Sequence, residues 1–248
     1  MTTDSMKTLS FRITLAVTLL SLDVFVAARP GARGTLLWQQ TFNGTANVFG
    51  EAQSVAVDNQ GTVVAAGSTV NTGTFRDFTV AKFDRDGTLL WQQSLSGTAA
   101  NSDDQALSVA VDKQGNVVAA GLTQNTGTFL DFTVAKFEGD GTLLWQQTLN
   151  GTDTFGNDEA QSVAADNQGN VVAAGFTQNT GTGRDFTVAK FDRDGALLWQ
   201  QNLDGTAANS DSDAAISVAV DNQGNVVAAG RIKNTGISFD FAVMKFDR

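Results

Sequence analysis

DNQGNVVAAG, from Asp166 to Gly175, returns letter for letter at Asp221 to Gly230. DKQGNVVAAG (Asp112 to Gly121) and DNQGTVVAAG (Asp58 to Gly67) each differ from it at one position. The stretch has two parts. Its Asp-x-Gln-Gly group supplies a turn whose glycine can adopt the left-handed conformation of a hairpin bulge. The small and β-branched residues that follow suit an extended strand. The aspartates that open the copies, Asp58, Asp112, Asp166 and Asp221, lie 54, 54 and 55 residues apart. Trp38, Trp91, Trp145 and Trp199 keep the same rhythm, as do Lys82, Lys136, Lys190 and Lys245. A fixed period of this length marks a chain built from repeated supersecondary units.

Four strand-like runs fill each unit. In the second they are Leu107–Asp112 (LSVAVD), Asn116–Gly121 (NVVAAG), Asp131–Phe137 (DFTVAKF) and Thr142–Leu149 (TLLWQQTL). The last two are joined by Glu138 to Gly141, and the matching turns Asp84–Gly87 and Asp192–Gly195 both read DRDG. These runs are too short and too rich in β-branched and aromatic residues for helices. Four antiparallel strands in each repeat predict an all-β chain, a β-propeller of four four-stranded blades over residues 34–248. Ala119, Ala120 and Gly121 are small enough for crowding near an axis, while Phe132, Phe137, Leu144 and Trp145 can fill the wedge between blades. An additional outer strand, Thr35–Phe42 (TLLWQQTF), precedes the first unit, and Phe241–Asp247 reads as a third strand. The N-terminal strand is therefore expected to complete the last blade, closing the ring and leaving no open sheet edge. Four blades is the low end of the propeller range, so a homodimer forming one eight-bladed ring stands beside a monomer.

Composition narrows the function classes. The 248 residues carry 16 Lys plus Arg against 26 Asp plus Glu, a formal net charge of −10. Such a balance disfavours nucleic acid, whose binding rests on cationic side chains releasing phosphate counterions, and disfavours anionic membrane surfaces. There is no Cys and no His, which removes disulfides, thiolate chemistry and the commonest general base and zinc ligand. Near the N-terminus, Lys7 and Arg12 precede an apolar run, Ile13 to Ala28, that ends in Val26-Ala27-Ala28. This reads as a signal peptide over residues 1–28, followed by a short linker at 29–33. An uncleaved anchor or a disordered leader are the alternatives. The run is shorter than the ~20 residues a spanning helix needs, so no membrane insertion is expected after cleavage. The chain is expected to be secreted, periplasmic or at the cell surface.

The pattern D-x-A-x-S-V-A-V-D-x-x-G-N-V-x-x-x-G, followed by D-F-x-V-x-K-F-x-x-x-G-x-L-L-W, resembles the bacterial β-propeller repeat family of the SBBP type. The resemblance covers Gly34 to Arg248. It implies an exported protein whose repeats serve as a scaffold or binding module, and it brings no catalytic motif. Only four repeats are present, and they are nearly identical.

Connections after strands one and three share one face and are tight glycine turns. Those after strands two and four share the other and are longer, as in Leu122–Leu130 and Asn150–Glu159, so binding is expected there. Loops leading into the inner strands are acidic, with Glu51, Asp103, Asp104, Asp158, Glu159, Asp211 and Asp213. These are the candidate ligand-binding residues. Gathered around an axis, they would offer the several oxygens that Ca²⁺ takes; otherwise they are solvated or cap strand ends. No other cofactor is expected and no metal is assigned. The recurrent Trp, Asp and Lys positions read as structural: indoles packing between blades and lysines paired with a neighbouring carboxylate. The partner is expected to be a protein or a glycan. Without a symmetry-breaking set of groups the chain is expected not to be an enzyme. A repeat lectin, a calcium-dependent adhesion module and a divergent hydrolase are the alternative readings.

Overall fold

The computed structural model describes residues 33–207, 212–236 and 238–248. The segment read as a signal peptide lies outside them. Among the described residues the regular structure is all β, in four antiparallel sheets whose strands follow chain order. The first blade holds β1 (Gly50–Val57), β2 (Val63–Val70), β3 (Arg76–Phe83) and β4 (Leu89–Leu95). The second holds β5 (Gln105–Val111), β6 (Val117–Asn125), β7 (Phe129–Phe137) and β8 (Leu143–Leu149). The third holds β9 (Glu159–Ala165), β10 (Val171–Asn179), β11 (Gly183–Phe191) and β12 (Leu197–Leu203). The last sheet has three strands, β13 (Ala214–Val220), β14 (Val226–Ile232) and β15 (Asp240–Phe246).

The repeated decapeptide forms the first hairpin of each blade. Asp112 Oδ1 accepts from the backbone N–H groups of Gln114 and Asn116, both at 2.9 Å, and Gly115 closes the turn at φ 85°. Asp166 with Gly169, and Asp221 with Gly224, repeat the arrangement. The aspartate thus holds the turn from its side chain while glycine takes the left-handed geometry.

The core lies between blades. Val64, Ala66, Phe78 and Val80 of the first blade pack on Ala106, Val109, Val117, Ala119, Ala135 and Phe137 of the second. The same sets meet at the next two junctions. Each tryptophan crosses a junction: the Trp91 ring lies 5.9 Å from Phe137, and its Nε1 donates to Gly139 O at 2.9 Å. Trp145 and Trp199 lie likewise over Phe191 and Phe246. Innermost strands are linked in series, since Ser54, Ser108 and Ser162 accept at Oγ from Val109, Val163 and Val218 N–H. Burying one such Phe or Val contributes about 1.5–3 kcal/mol, so the junctions dominate the stability.

Two expectations are corrected. Among the described residues the sheets do not close into a ring, and the last sheet has three strands. Residues 36–42 form no strand. Their side chains dock on the first blade instead, with the Trp38 ring 5.9 Å from Phe83, Trp38 Nε1 donating to Arg85 O and Gln40 Nε2 to Gly87 O. All these contacts belong to the blade that follows, so they hold the segment without bringing β15 to it. β13 makes no contact with β1 comparable to those of β1 with β5, β5 with β9 and β9 with β13. The stretch Leu122–Leu130 is also not a long loop. β6 and β7 extend through it, pairing Asn125 with Phe129, and the buried Thr123 and Thr133 hydroxyls bond each other at 2.7 Å.

Candidate binding face

The connections between blades and the β2–β3 type hairpin tips gather at one end of the sheets, where hydrogen bonds lock them together. Gly151 begins the β8–β9 connection against Gln178: a Cβ there would stand 1.8 Å from Gln178 O, so only glycine fits. Gly151 N–H donates to Asp158 Oδ2 at 3.0 Å, and Gln178 N–H donates to Asp158 Oδ1 at 2.6 Å. Thr152 N–H donates to Asn179 Oδ1, and Thr180 N–H to Thr152 Oγ1. Asp104 clamps Gly97 and Gln124 in the same way, and Asp213 clamps Gly205 and Lys233. All three carboxylates are essentially buried. Burial pushes the Asp158 carboxyl up to about 6 and raises that of Asp104.

The other nominated acids fall elsewhere. Asp103 is part-exposed, 3.8 Å from the Arg76 guanidinium, and accepts from Gln105 Nε2. Glu51 is exposed. Glu159 is half-buried, accepts from Gln161 Nε2, and is raised by its burial. Asp211 lies outside the described residues. Among the described residues no three acidic side chains are placed to hold one metal ion.

The recurrent lysines work between blades. Lys136 Nζ lies 3.0 Å from Asp112 Oδ2 in its own blade and donates to Gly169 O of the next at 2.8 Å. Lys190 repeats this with Asp166 and Gly224 O, and Lys82 donates to Gly115 O and Gly139 O. Lys245 meets its own blade's Asp221, at 2.8 Å, and among the described residues no next blade; its hydrogen bond holds that carboxyl well below the usual range.

A second carboxylate at the end face breaks the repeat. Asp77 Oδ1 accepts from Ser96 Oγ at 2.5 Å, but the residue in Ser96's register beside Asp185 is Asp204. Asp185 Oδ1 is buried with no hydrogen-bond partner, and its carboxyl is raised by burial and by the charge of Asp204.

Sequence reasoning missed the apolar side chains that this frame displays. Val48 and Phe49 just before β1, Phe155 on the β8–β9 connection, and Phe75, Phe129 and Phe239 at the hairpin tips are all exposed. Arg76 lies 5.0 Å from the Phe49 ring and 5.7 Å from Phe75; Arg231 lies 5.0 Å from Phe239. Phe129 sits at φ 81°, in the register position where Gly183 has φ 84°. A bulky residue held there costs about 1–3 kcal/mol, the kind of strain found at functional positions. Aligning the four units would have exposed the signal: a large apolar residue in a turn, at a position where another unit has glycine.

Fold and face together define a propeller-like repeat chain with a rigid, aromatic end surface. Residues 24–243 match the family described as outer membrane protein assembly factor BamB, and the chain belongs to that family, which is associated with the periplasm or outer membrane. No curated protein matches the sequence. Among solved structures it is similar to a protein of unknown function from Bacteroides caccae, at 16% identity over 72% of this chain and 53% of that one, TM-score 0.44. It is similar to a gluconolactonase from Xanthomonas campestris, at 16% identity over 71% and 53%, TM-score 0.39. A luciferin-regenerating enzyme matches at 12% identity over 85% and 81%, TM-score 0.33. The chain spans about half the length of the first two. The expectation of a chain that is not an enzyme is corrected by these matches: enzymes stand among its structural neighbours. At such identities the likeness is one of fold and assigns no reaction.

Proposed function

We propose that the chain is an exported binding module, built of bacterial β-propeller repeats, that holds a polypeptide partner on its aromatic end face. Phe129 carries the reading: an exposed ring kept at a left-handed backbone angle that its repeat equivalent reaches with glycine. Phe49 and Phe75 share the Arg76 guanidinium, and exposed apolar side chains grouped in this way mark interaction surfaces. Arg76 and Arg231 beside the rings add the guanidinium groups favoured at interfaces. The clamps formed by Asp104, Asp158 and Asp213 keep the face ordered before binding, which lowers the entropic cost. The family's description names assembly of outer-membrane proteins. An extended polypeptide with alternate apolar side chains, as in a membrane β-strand, has the chemistry this face accepts. The basic-then-apolar leader ending at Ala28 supports export.

The test uses a labelled synthetic ten-residue peptide alternating Phe with Ser and Lys, titrated with the purified chain and followed by fluorescence anisotropy. Phe129→Ser with Phe155→Ser is expected to weaken binding at least tenfold, as loss of interface anchors does. Equal binding by the doubly substituted chain refutes the face.

A further inference from the structure

The two ends of the blade series carry matching halves of one junction. On the giving side, Phe78, Phe132 and Phe186 are each 0% exposed under the next blade, whereas the equivalent Phe241 is 89% exposed. Val80, Val134 and Val188 are likewise 0% exposed, against 56% for Val243. On the receiving side, Val109, Val163 and Val218 are 7–8% exposed, whereas Val55 is 65% exposed. In front of Val55 lies a groove of about 380 Å³, lined by Trp38, Phe42, Val55, Val63, Ala65 and Phe83. At the inner junctions, residues equivalent to Phe241 and Val243 pack against those equivalent to Val55, Val63, Ala65 and Phe83.

We propose that these ends join between two copies of this chain. Residues 36–42 of one copy pair with the outer edge of β15 in the other, and the first blade of one seats on the last blade of its neighbour. Three observations carry this. Residues 36–42 have the fourth-strand sequence, form no strand among the described residues, and already sit on the first blade as β4 sits on the second. β15 offers an unpaired edge, a standing template for strand addition. The surface required is the junction this chain already makes three times, while its own two ends stay apart.

The repeat sets the register. Trp91 lies opposite Lys82, Gln92 opposite Ala81 and Gln93 opposite Val80, which places Trp38 opposite Lys245, Gln39 opposite Met244 and Gln40 opposite Val243. Polar links extend by the same rule. Lys245 Nζ reaches the partner copy at Gly61 O, as Lys136 reaches Gly169 O, and Ser217 Oγ accepts from Val55 N–H, as Ser54 accepts from Val109. The joint is heterologous, so it closes as a ring of copies or runs on as a file of them.

The chain has no cysteine, which makes the test clean. Full chains carrying Gln39→Cys are mixed with full chains carrying Met244→Cys and oxidised. Directly opposed residues stand about 4.5–5.5 Å apart at Cβ, within disulfide reach. A crosslinked two-chain species is expected, absent when the Met244→Cys partner is replaced by an exposed Lys113→Cys control. Light scattering of the unsubstituted chain is expected to give a mass that is a multiple of the monomer's. Phe241→Asp is expected to weaken association at least tenfold while leaving the circular dichroism unchanged, because that ring is exposed in the single chain. A monomer at every concentration overturns the proposal. So does a doubly substituted chain that locks within itself at monomer mass, which would mean closure on its own last blade.

Discussion

Removing the same lysine at two places in the repeat separates a buried junction from an open one. At Lys136 the side chain is 2% exposed and its partner Asp112 0%. Lys136→Met leaves that carboxylate buried with its backbone and Asn116 bonds but no cation, and removes the Nζ hydrogen bond to Gly169 O. Breaking a buried ion pair from one side costs about 3–5 kcal/mol, most of it the unpaired charge. With a urea m-value of about 2–3 kcal/mol per molar, the unfolding midpoint should fall by about 1–2.5 M. Lys245 holds the equivalent position in the repeat, with the equivalent aspartate, Asp221, at 2.8 Å, but its side chain is 59% exposed. Lys245→Met should leave the midpoint nearly unchanged, because screening and side-chain entropy cancel most of a surface pair. Both substitutions are compared in the Phe241→Asp background, which keeps the last blade uncovered, with tryptophan fluorescence as the probe. Lys136→Met with Asp112→Asn should recover part of the loss. Equal midpoint shifts at the two lysines would refute the reasoning, because they would mean the last blade is as covered as the second.

Other consequences follow from the end face. Gly151→Ala should destabilise the chain by about 3 kcal/mol, since a Cβ 1.8 Å from Gln178 O displaces the crossover and breaks a charged and a neutral hydrogen bond; a midpoint within 0.3 M, as an order-of-magnitude bound from the same m-value, would contradict the packing. Because Asp158 is raised from 3.8 to about 6 by burial, the folded chain holds that proton more tightly than the unfolded one. Its contribution is therefore present in full below about pH 4 and lost as pH rises through 6. Urea midpoints for the natural chain should fall between those limits, and Asp158→Asn should flatten the slope. Asp204→Asn should stabilise by about 1 kcal/mol by giving the buried Asp185 Oδ1 a donor, read as a rise in melting temperature. An unchanged or lower melting temperature would show that Asp204 does not face that oxygen.

The blades were legible because their signals are local. Asp112 binding its own turn, Gly115 at positive φ and the alternation of DFTVAKF are decided within ten residues. Closure was not legible, because the angle between near-identical blades depends on junction packing, and Trp38 satisfies its indole on the first blade whether or not β15 lies beside it. The hairpin tips read as loops because Thr123, Asn125 and Thr126 are polar, yet Thr123 and Asn125 bond across the hairpin to Thr133 and Asp131, and the Thr126 hydroxyl donates to Thr98 O on the crossover. The acids misled for a related reason. Asp104, Asp158 and Asp213 look like solvated loop residues, but each takes backbone N–H groups from two segments far apart in sequence. Setting the units in register separates that column from Asp103 and from Glu159, whose surroundings differ.

Four single-cysteine chains test the open series of blades most directly. Val55, Val109, Val163 and Val218 occupy one register position, and each is replaced by Cys in the otherwise cysteine-free chain. Reaction with a thiol reagent is timed in dilute solution. The structure predicts that V55C reacts at nearly the rate of an exposed thiol, while the other three react slower by at least about a hundredfold, as groups that need local opening do. If V55C is protected like the others at every dilution, the first blade is covered within its own chain and the open series is wrong.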